Sequence, residues 1–299
     1  MAEKVGFVGL GAMGRPMAEH LLAAVPDLAV YNRTPGKSDS LSALGACLAP
    51  TAALAAPAGG ILVTMLSDDD AVREVMNDGV LAALGPGGIH LSMSTIAPRT
   101  ARGLSEAHKI RGVTYVAAPV FGRPEAAAAR KLWMTCSGPA KAKVRVRPLL
   151  EAMGQGIFDF GEDPGAAHAA KLAGNLMIAS AVEALSEALV LARKQGVAPA
   201  AFHEMIVSTL FPGPVFQGYG RSMVEQRFDP PGFKLALALK DERLVLDAGG
   251  EAEAPLPLAS LLRDRLLACA AKGRGGLDLA ALYLEALDQA GLGEPSRTP

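Results

Sequence analysis

Cysteine is scarce: only Cys47, Cys136 and Cys269 occur in 299 residues, and they lie far apart. No C-x-x-C or Cys/His spacing is present, so neither a zinc site nor a disulfide framework is expected. The three are expected to be small buried hydrophobes in a reduced, cytoplasmic compartment. An excess of either charge is also lacking. The formal net charge is −1, and no dense Lys/Arg stripe appears. That argues against nucleic-acid or anionic-membrane partners. No uninterrupted run reaches the roughly 18 apolar residues of a transmembrane helix. The first strand begins near Lys4, and no signal or transit peptide is expected ahead of it. Aromatic residues are few, and the single tryptophan, Trp133, sits in a strand pattern that predicts a core position. His20, His90, His108, His168 and His203 show no ligand spacing, and His168 reads as structural or exposed. Asp68-Asp69-Asp70 reads as a helix N-cap with first-turn charges, so no metal is expected.

What is present is a globular composition, with half the residues hydrophobic and 20% charged. Up to about residue 163, short apolar runs alternate with helical patterns. Strands are predicted at 5–8, 28–31, 61–66, 89–92, 113–116, 132–135 and 157–160. Helical spacing fills gaps such as 71–76 and 99–110, with Pro98 opening the second of these. Such alternation predicts an α/β fold, a doubly wound, mostly parallel sheet covered on both faces. Beyond it, residues 165–195 contain no proline and read as one long helix of about 45 Å at ~1.5 Å per residue. Helices follow at 199–209, 218–226, 235–248, 256–271 and 277–289, and a frayed tail at 291–299. Two domains result: 1–163, dinucleotide-binding, and 164–299, all-helical, for substrate and oligomer contacts. A substrate cleft between two such domains is a common arrangement.

The G-x-G-x-x-G pattern falls at Gly9, Gly11 and Gly14, after a strand and before a helix. There a dinucleotide pyrophosphate can rest on the helix N-terminus, against Leu10, Ala12 and Met13 as well. Met65 and Leu66, at a strand's carboxyl end, are further candidate cofactor contacts. An acidic residue ending the second strand would bind the adenosine ribose of NAD. Here the chain reads Asn32-Arg33-Thr34. A carboxylate would repel a ribose phosphate, whereas Asn32 and Thr34 can donate to it and Arg33 can pair with it. Lys37 is near enough to help. NADP(H) is therefore expected over NAD; the plain alternative is a polar turn with a solvated arginine.

The stretch from Gly9 to Ala18, G-L-G-A-M-G-R-P-M-A, resembles the opening signature of the β-hydroxyacid dehydrogenases. That family includes 3-hydroxyisobutyrate dehydrogenases and glyoxylate/succinic semialdehyde reductases, and is related to 6-phosphogluconate dehydrogenase and imine reductases. Four later segments resemble it in the right order: Ser94-Thr95-Ile96-Ala97-Pro98, Ala118-Pro119-Val120-Phe121-Gly122, Lys171-Leu172-Ala173-Gly174-Asn175, and Gly232-Phe233 with Lys240-Asp241. The resemblance implies a Rossmann domain, a helical second domain, homo-oligomers and hydride transfer between a nicotinamide and a small carbonyl or hydroxyacid. It implies that Lys171 is the general acid/base and that Asn175, one helical turn on, orients the lysine or the substrate hydroxyl. Without the resemblance the pair would read as a solvated lysine and a surface asparagine. Thr95 would contact the cofactor and Ser94 the substrate, near a strand end. By the family pattern Lys240 reaches cofactor or a substrate acid group, and Phe233 walls the nicotinamide pocket.

The substrate turn departs from the family. A serine and two glycines are usual there; this chain has Phe121-Gly122-Arg123. Phe121 removes a hydroxyl and adds an aromatic surface, and Gly122 still allows close approach. Arg123 either binds a carboxylate or points to solvent. A larger or more apolar aldehyde becomes credible. Two other readings stay open: imine reduction, against which Lys171 argues, and a non-catalytic NADP-binding protein.

Overall fold

The computed structural model describes residues 3–293, so most of the tail expected at 291–299 lies outside the described residues. The chain divides into two compact units, the first ending at Lys171 and the second beginning at Leu172.

The first unit opens with β1 (Val5–Val8), α1 (Gly14–Ala24), β2 (Ala29–Tyr31), α2 (Asp39–Ala43), β3 (Cys47–Leu48) and α3 (Ala52–Ala55). It continues with β4 (Ile61–Thr64), α4 (Asp69–Val75), α5 (Asp78–Leu84), β5 (Ile89–Ser92), α6 (Pro98–Ile110) and β6 (Thr114–Ala117). These six strands form one sheet in the order β3-β2-β1-β4-β5-β6, with every pairing parallel. Alternate residues feed separate cores on its two faces. Val5, Phe7, Ile61, Val63, Ile89, Leu91 and Val116 pack on one face with Met17 and Leu21 of α1. Val8, Leu62, Tyr115 and Ala117 pack on the other with Val72, Leu84 and Leu104. Burial on both faces is why the central strands β1 and β4 read as nearly unbroken apolar runs. Asp68 caps α4 as expected, accepting the Ala71 N–H at 2.8 Å.

A second sheet departs from the expected single one. It comprises β7 (Val120–Phe121), β8 (Leu132–Cys136) and β9 (Gly154–Asp159), with α7 (Pro124–Ala128) and α8 (Ala140–Met153) between them. β7 pairs antiparallel with β8, and β8 parallel with β9. Trp133 lies on this sheet's outer face and is 45% exposed, correcting its expected core position. Its ring covers Gly156 and meets Phe158 at 5.8 Å, so neighbours on its own sheet provide its packing. Cys47 is also exposed. It sits on the two-residue edge strand β3, where only β2 pairs with it; Cys136 and Cys269 are buried as expected.

The long helix α9 (Ala166–Lys194) begins in the first unit and continues into the second. It is the one helix among the described residues long and apolar enough to cross a membrane, with mean hydropathy 1.5 in its most apolar window. Counting unbroken apolar runs missed it because alanine and scattered polar residues interrupt the runs. Its buried side chains include His168, Lys171, Asn175 and Glu183 beside Val182, Leu185 and Leu189, the mixture of a helix packed inside protein. The second unit adds α10 (Pro199–Ser208), α11 (Pro214–Val224), α12 (Leu235–Glu251), α13 (Pro257–Ala271) and α14 (Leu282–Gln289). α11 starts four residues before the expected position, because Pro214 supplies a preset first turn. The helix expected at 277–289 is reduced to α14 preceded by two short 3₁₀ turns.

Candidate active site

The order of the large sheet reverses beside β1, which pairs with β2 on one side and β4 on the other. Ligands of open α/β sheets collect at the carboxyl ends of strands at such a point, and the glycine turn lies there. Gly9 has φ +99°, and a Cβ on it would stand 2.3 Å from the Met65 carbonyl oxygen. A Cβ on Gly14 would stand 1.9 Å from the Gly9 carbonyl oxygen, so α1 starts this close to the turn only on glycine. Around Gly11, by contrast, a Cβ would meet nothing within 4 Å. Gly11 lies just before α1, and its carbonyl accepts the Arg15 N–H at 3.1 Å. Ala12 there is exposed and Met13 half-buried. Gly9, Gly11, Asn32, Arg33, Thr34, Lys37, Met65 and Leu66 line a cavity of about 440 Å³. A dinucleotide fits this cradle: open glycine backbone for the pyrophosphate, and a rim of Arg33, Lys37 and Glu74 with amide and hydroxyl groups for the adenosine end.

Hydrogen bonds fix the cradle. Asn32 Oδ1 accepts the Leu10 N–H at 2.8 Å, and its Nδ2 donates to the Thr34 carbonyl at 3.0 Å. Arg33 is exposed and pairs with Glu74 at 3.3 Å. Ser94 is fully buried, and its Oγ accepts the Leu66 N–H at 2.8 Å, bracing the end of β4.

Lys171 lies near the start of α9 and is 8% exposed. Its Nζ stands 4.0 Å from the centroid of the Phe121 ring on β7. Thr135 Oγ1 donates to the Ala167 carbonyl at 3.1 Å, and the Ala167 N–H donates to Ser137 Oγ at 3.1 Å, so β8 and the turn after it hold the first turn of α9. Gly122 has φ +142°, and Arg123 is half-buried at the N-cap of α7.

In the second unit, Asn175 is 8% exposed and its Nδ2 donates to Asp241 Oδ2 at 2.6 Å. The other oxygen of Asp241 pairs with Lys240 at 2.7 Å. Asp278 Oδ2 accepts the N–H groups of Gly232 and Phe233 at 2.8 and 3.1 Å, fixing the turn that carries Phe233.

Residues 4–161 match a family model for the NAD binding domain of 6-phosphogluconate dehydrogenase. Residues 165–285 match one described as NAD-binding of NADP-dependent 3-hydroxyisobutyrate dehydrogenase. The chain belongs to the β-hydroxyacid dehydrogenase family. Over 281 residues it is 46% identical to an uncharacterized oxidoreductase of Bacillus subtilis strain 168, YfjR, covering 93% of this chain and 98% of that one. It is 32% identical to the 3-hydroxyisobutyrate dehydrogenase of Pseudomonas aeruginosa, covering 93% and 96%. The solved structure of Mycobacterium tuberculosis 3-hydroxyisobutyrate dehydrogenase with L-serine matches with a TM-score of 0.85 at 30% identity, covering 95% and 98%.

The protein is thus an NAD(P)-dependent oxidoreductase of that family. Its glycine turn, the Asn32-Arg33-Thr34 loop, Met65 and Leu66 share one cavity, and Phe121 touches Lys171. Asn175 and Lys240 share Asp241. Thr95 is half-buried beside Ser94. Sequence reasoning missed Glu74 and Asp278, which are distant in sequence from the groups they bind and belong to no motif.

It also missed Glu242. This carboxyl is 1% exposed. Burial, then the neighbouring Asp241 charge, push its pKa up from 4.5 to about 7. The folded state therefore keeps the proton longer than the unfolded chain. Stability is greatest below pH 4.5 for this group and falls as pH rises through about 7, by on the order of 3 kcal/mol. Glu242→Gln should melt above the parent at pH 8, with the gap closing toward pH 5. Parallel melting profiles across that range would remove Glu242 from the account.

Proposed function

We propose that the protein is an NADPH-dependent reductase of a small aldehyde or semialdehyde, reversible toward the β-hydroxyacid, with Lys171 as general acid/base. The observation that carries this reading is the buried Lys171 ammonium stacked on Phe121. The ring face attracts a cation, and the ammonium is the form that donates a proton. Bound NADPH would supply hydride from the nicotinamide C4. As hydride reaches the carbonyl carbon, Lys171 gives a proton from Nζ to the carbonyl oxygen and recovers one from solvent. In oxidation it takes the hydroxyl proton instead. Asn175, oriented by Asp241, directs the lysine or the substrate oxygen. Phe121 offers an apolar wall where the family often has a hydroxyl, which favours a carbonyl with an apolar substituent.

NADPH is favoured by Asn32, Arg33, Thr34 and Lys37 on the cavity wall after β2. The exposed Arg33–Glu74 pair is weak, so Arg33 can exchange Glu74 for a ribose phosphate. Arg33→Ala should raise KM for NADPH about 10- to 100-fold, the worth of a lost charge-assisted pair, and leave KM for NADH nearly unchanged. Equal shifts for both cofactors would refute the NADP assignment. The reaction class is tested by a panel run with NADPH and NADH: glyoxylate, succinic semialdehyde, methylmalonate semialdehyde, an aromatic aldehyde and a cyclic imine. Turnover of an aldehyde with NADPH is expected. Turnover of the imine alone would move the activity to imine reduction, and no turnover would favour a binding protein.

A further inference from the structure

Against one face of the large sheet lies a buried polar cluster that the proposed reaction does not use. Thr64, His90, His108, Tyr115 and His168 are each at most 1% exposed. Thr64 Oγ1 and His90 Nε2 are 2.9 Å apart, and His90 Nδ1 and His108 Nε2 are 2.9 Å apart. The Tyr115 ring stands edge-on to both histidines, at 5.3 and 5.9 Å. Its hydroxyl lies 2.9 Å from His168 Nε2. Burial holds His90 well below its ordinary range and His108 down at about 4, and pushes the Tyr115 hydroxyl up. His90, His108 and Tyr115 are therefore uncharged at physiological pH, and they act through hydrogen-bond geometry.

His168 lies three residues before Lys171 on α9, so the two side chains lie on the same side of the helix. We propose that Tyr115 and His168 are positioning residues for Lys171. Their hydrogen bond sets the rotation of the first turn of α9, and with it the place of the Lys171 ammonium over Phe121. This rests on the acid/base role assigned to Lys171 above. Thr135 and Ser137 grip the backbone of Ala167, which fixes the height of the turn. The Tyr115–His168 contact is a side-chain contact away from the axis, so it resists rotation of the turn. Breaking it leaves a buried donor or acceptor unmatched, so the turn is strongly held there. A displacement of about 1 Å in a catalytic group is enough to cost on the order of 100-fold in rate.

The test uses the full chain with four variants: Tyr115→Phe, His168→Leu, His168→Gln and Lys171→Met. Turnover is measured with NADPH and the fastest carbonyl of the panel. Tyr115→Phe and His168→Leu are expected to lose kcat about 10- to 100-fold, with the NADPH Kd within twofold of the parent. The deuterium isotope effect from C4-labelled NADPH should rise as chemistry becomes slower. His168→Gln can still meet the tyrosine hydroxyl and should recover most of the rate. A readout without turnover accompanies these. Lysines are reductively methylated with ¹³C-formaldehyde, and the Lys171 methyl resonance is assigned by its loss in Lys171→Met. Above the Phe121 ring it should be shifted upfield, and Tyr115→Phe should move it back toward the free-lysine position. An unchanged methyl resonance and kcat in Tyr115→Phe would overturn the proposal, as would a parallel loss of kcat, cofactor affinity and melting temperature in all three positioning variants. If Lys171→Met keeps the parent's rate, the acid/base role itself fails and the proposal fails with it. If Lys171→Met is inactive while Tyr115→Phe is unaffected, only the positioning role fails.

Discussion

Lys171→Met should lower kcat for carbonyl reduction by about 10³-fold, within the 10²–10⁴ that a positioned acid or base contributes. NADPH affinity should stay within about threefold, since no cavity-lining residue of the glycine turn is altered. Methionine is the informative replacement. It keeps the unbranched length of the lysine and favours helix, so α9 is preserved. Its thioether can remain against the Phe121 ring, now 4.0 Å from the ammonium, with a favourable sulfur–aromatic contact. It cannot donate a proton. Melting temperature should change little, because the side chain keeps its length and its contact with the ring. Steady-state and single-turnover rates with NADPH check the result. A loss smaller than tenfold would mean that another group, or water, protonates the substrate oxygen, and Lys171 would be reduced to a structural cation.

Much of this arrangement is legible in the sequence, for identifiable reasons. A parallel strand buried on both faces is mostly apolar along its length, so β1 and β4 stand out as short apolar runs. A pyrophosphate-binding turn needs glycine where a Cβ would strike backbone, as at Gly9 and Gly14, and such a need leaves a fixed spacing. Lys171 and Asn175 share a helical face by their spacing, but only the resemblance to the family singles them out. Contacts between distant segments leave no spacing to find. Asp278 serves the turn at Gly232 and Phe233 from 45 residues away or more, and nothing in its neighbours announces it. Glu74 reaches Arg33 across 41 residues. Ser94 shows the opposite case. Its motif was visible, but its hydroxyl is buried as the brace of Leu66. Trp133 misled because alternation along β8 says which residues share a face and leaves open which face meets the core.

The glycine turn allows two substitutions of equal size to be set against each other. Gly14→Ala adds a methyl 1.9 Å from the Gly9 carbonyl oxygen and 3.1 Å from the Phe7 ring. The first neighbour is backbone and the second is a fully buried core side chain, so neither yields cheaply. Overpacking of this kind costs about 1–3 kcal/mol, occasionally more, and should lower the melting of the first unit by roughly 5–10 °C. Gly11→Ala adds the same methyl where nothing lies within 4 Å, and its melting temperature should match the parent within about 2 °C. Both should lose NADPH. In Gly14→Ala the turn shifts away from α1, and in Gly11→Ala the methyl occupies the space through which the backbone approaches the pyrophosphate. A loss of at least 100-fold in Kd is expected in each case, read by quenching or calorimetry on the purified full chain. The dissociation between the two variants is the decisive part. Stable Gly11→Ala protein that binds NADPH as the parent does would place the dinucleotide elsewhere. Gly14→Ala protein that melts with the parent would mean that the turn relaxes around the added carbon.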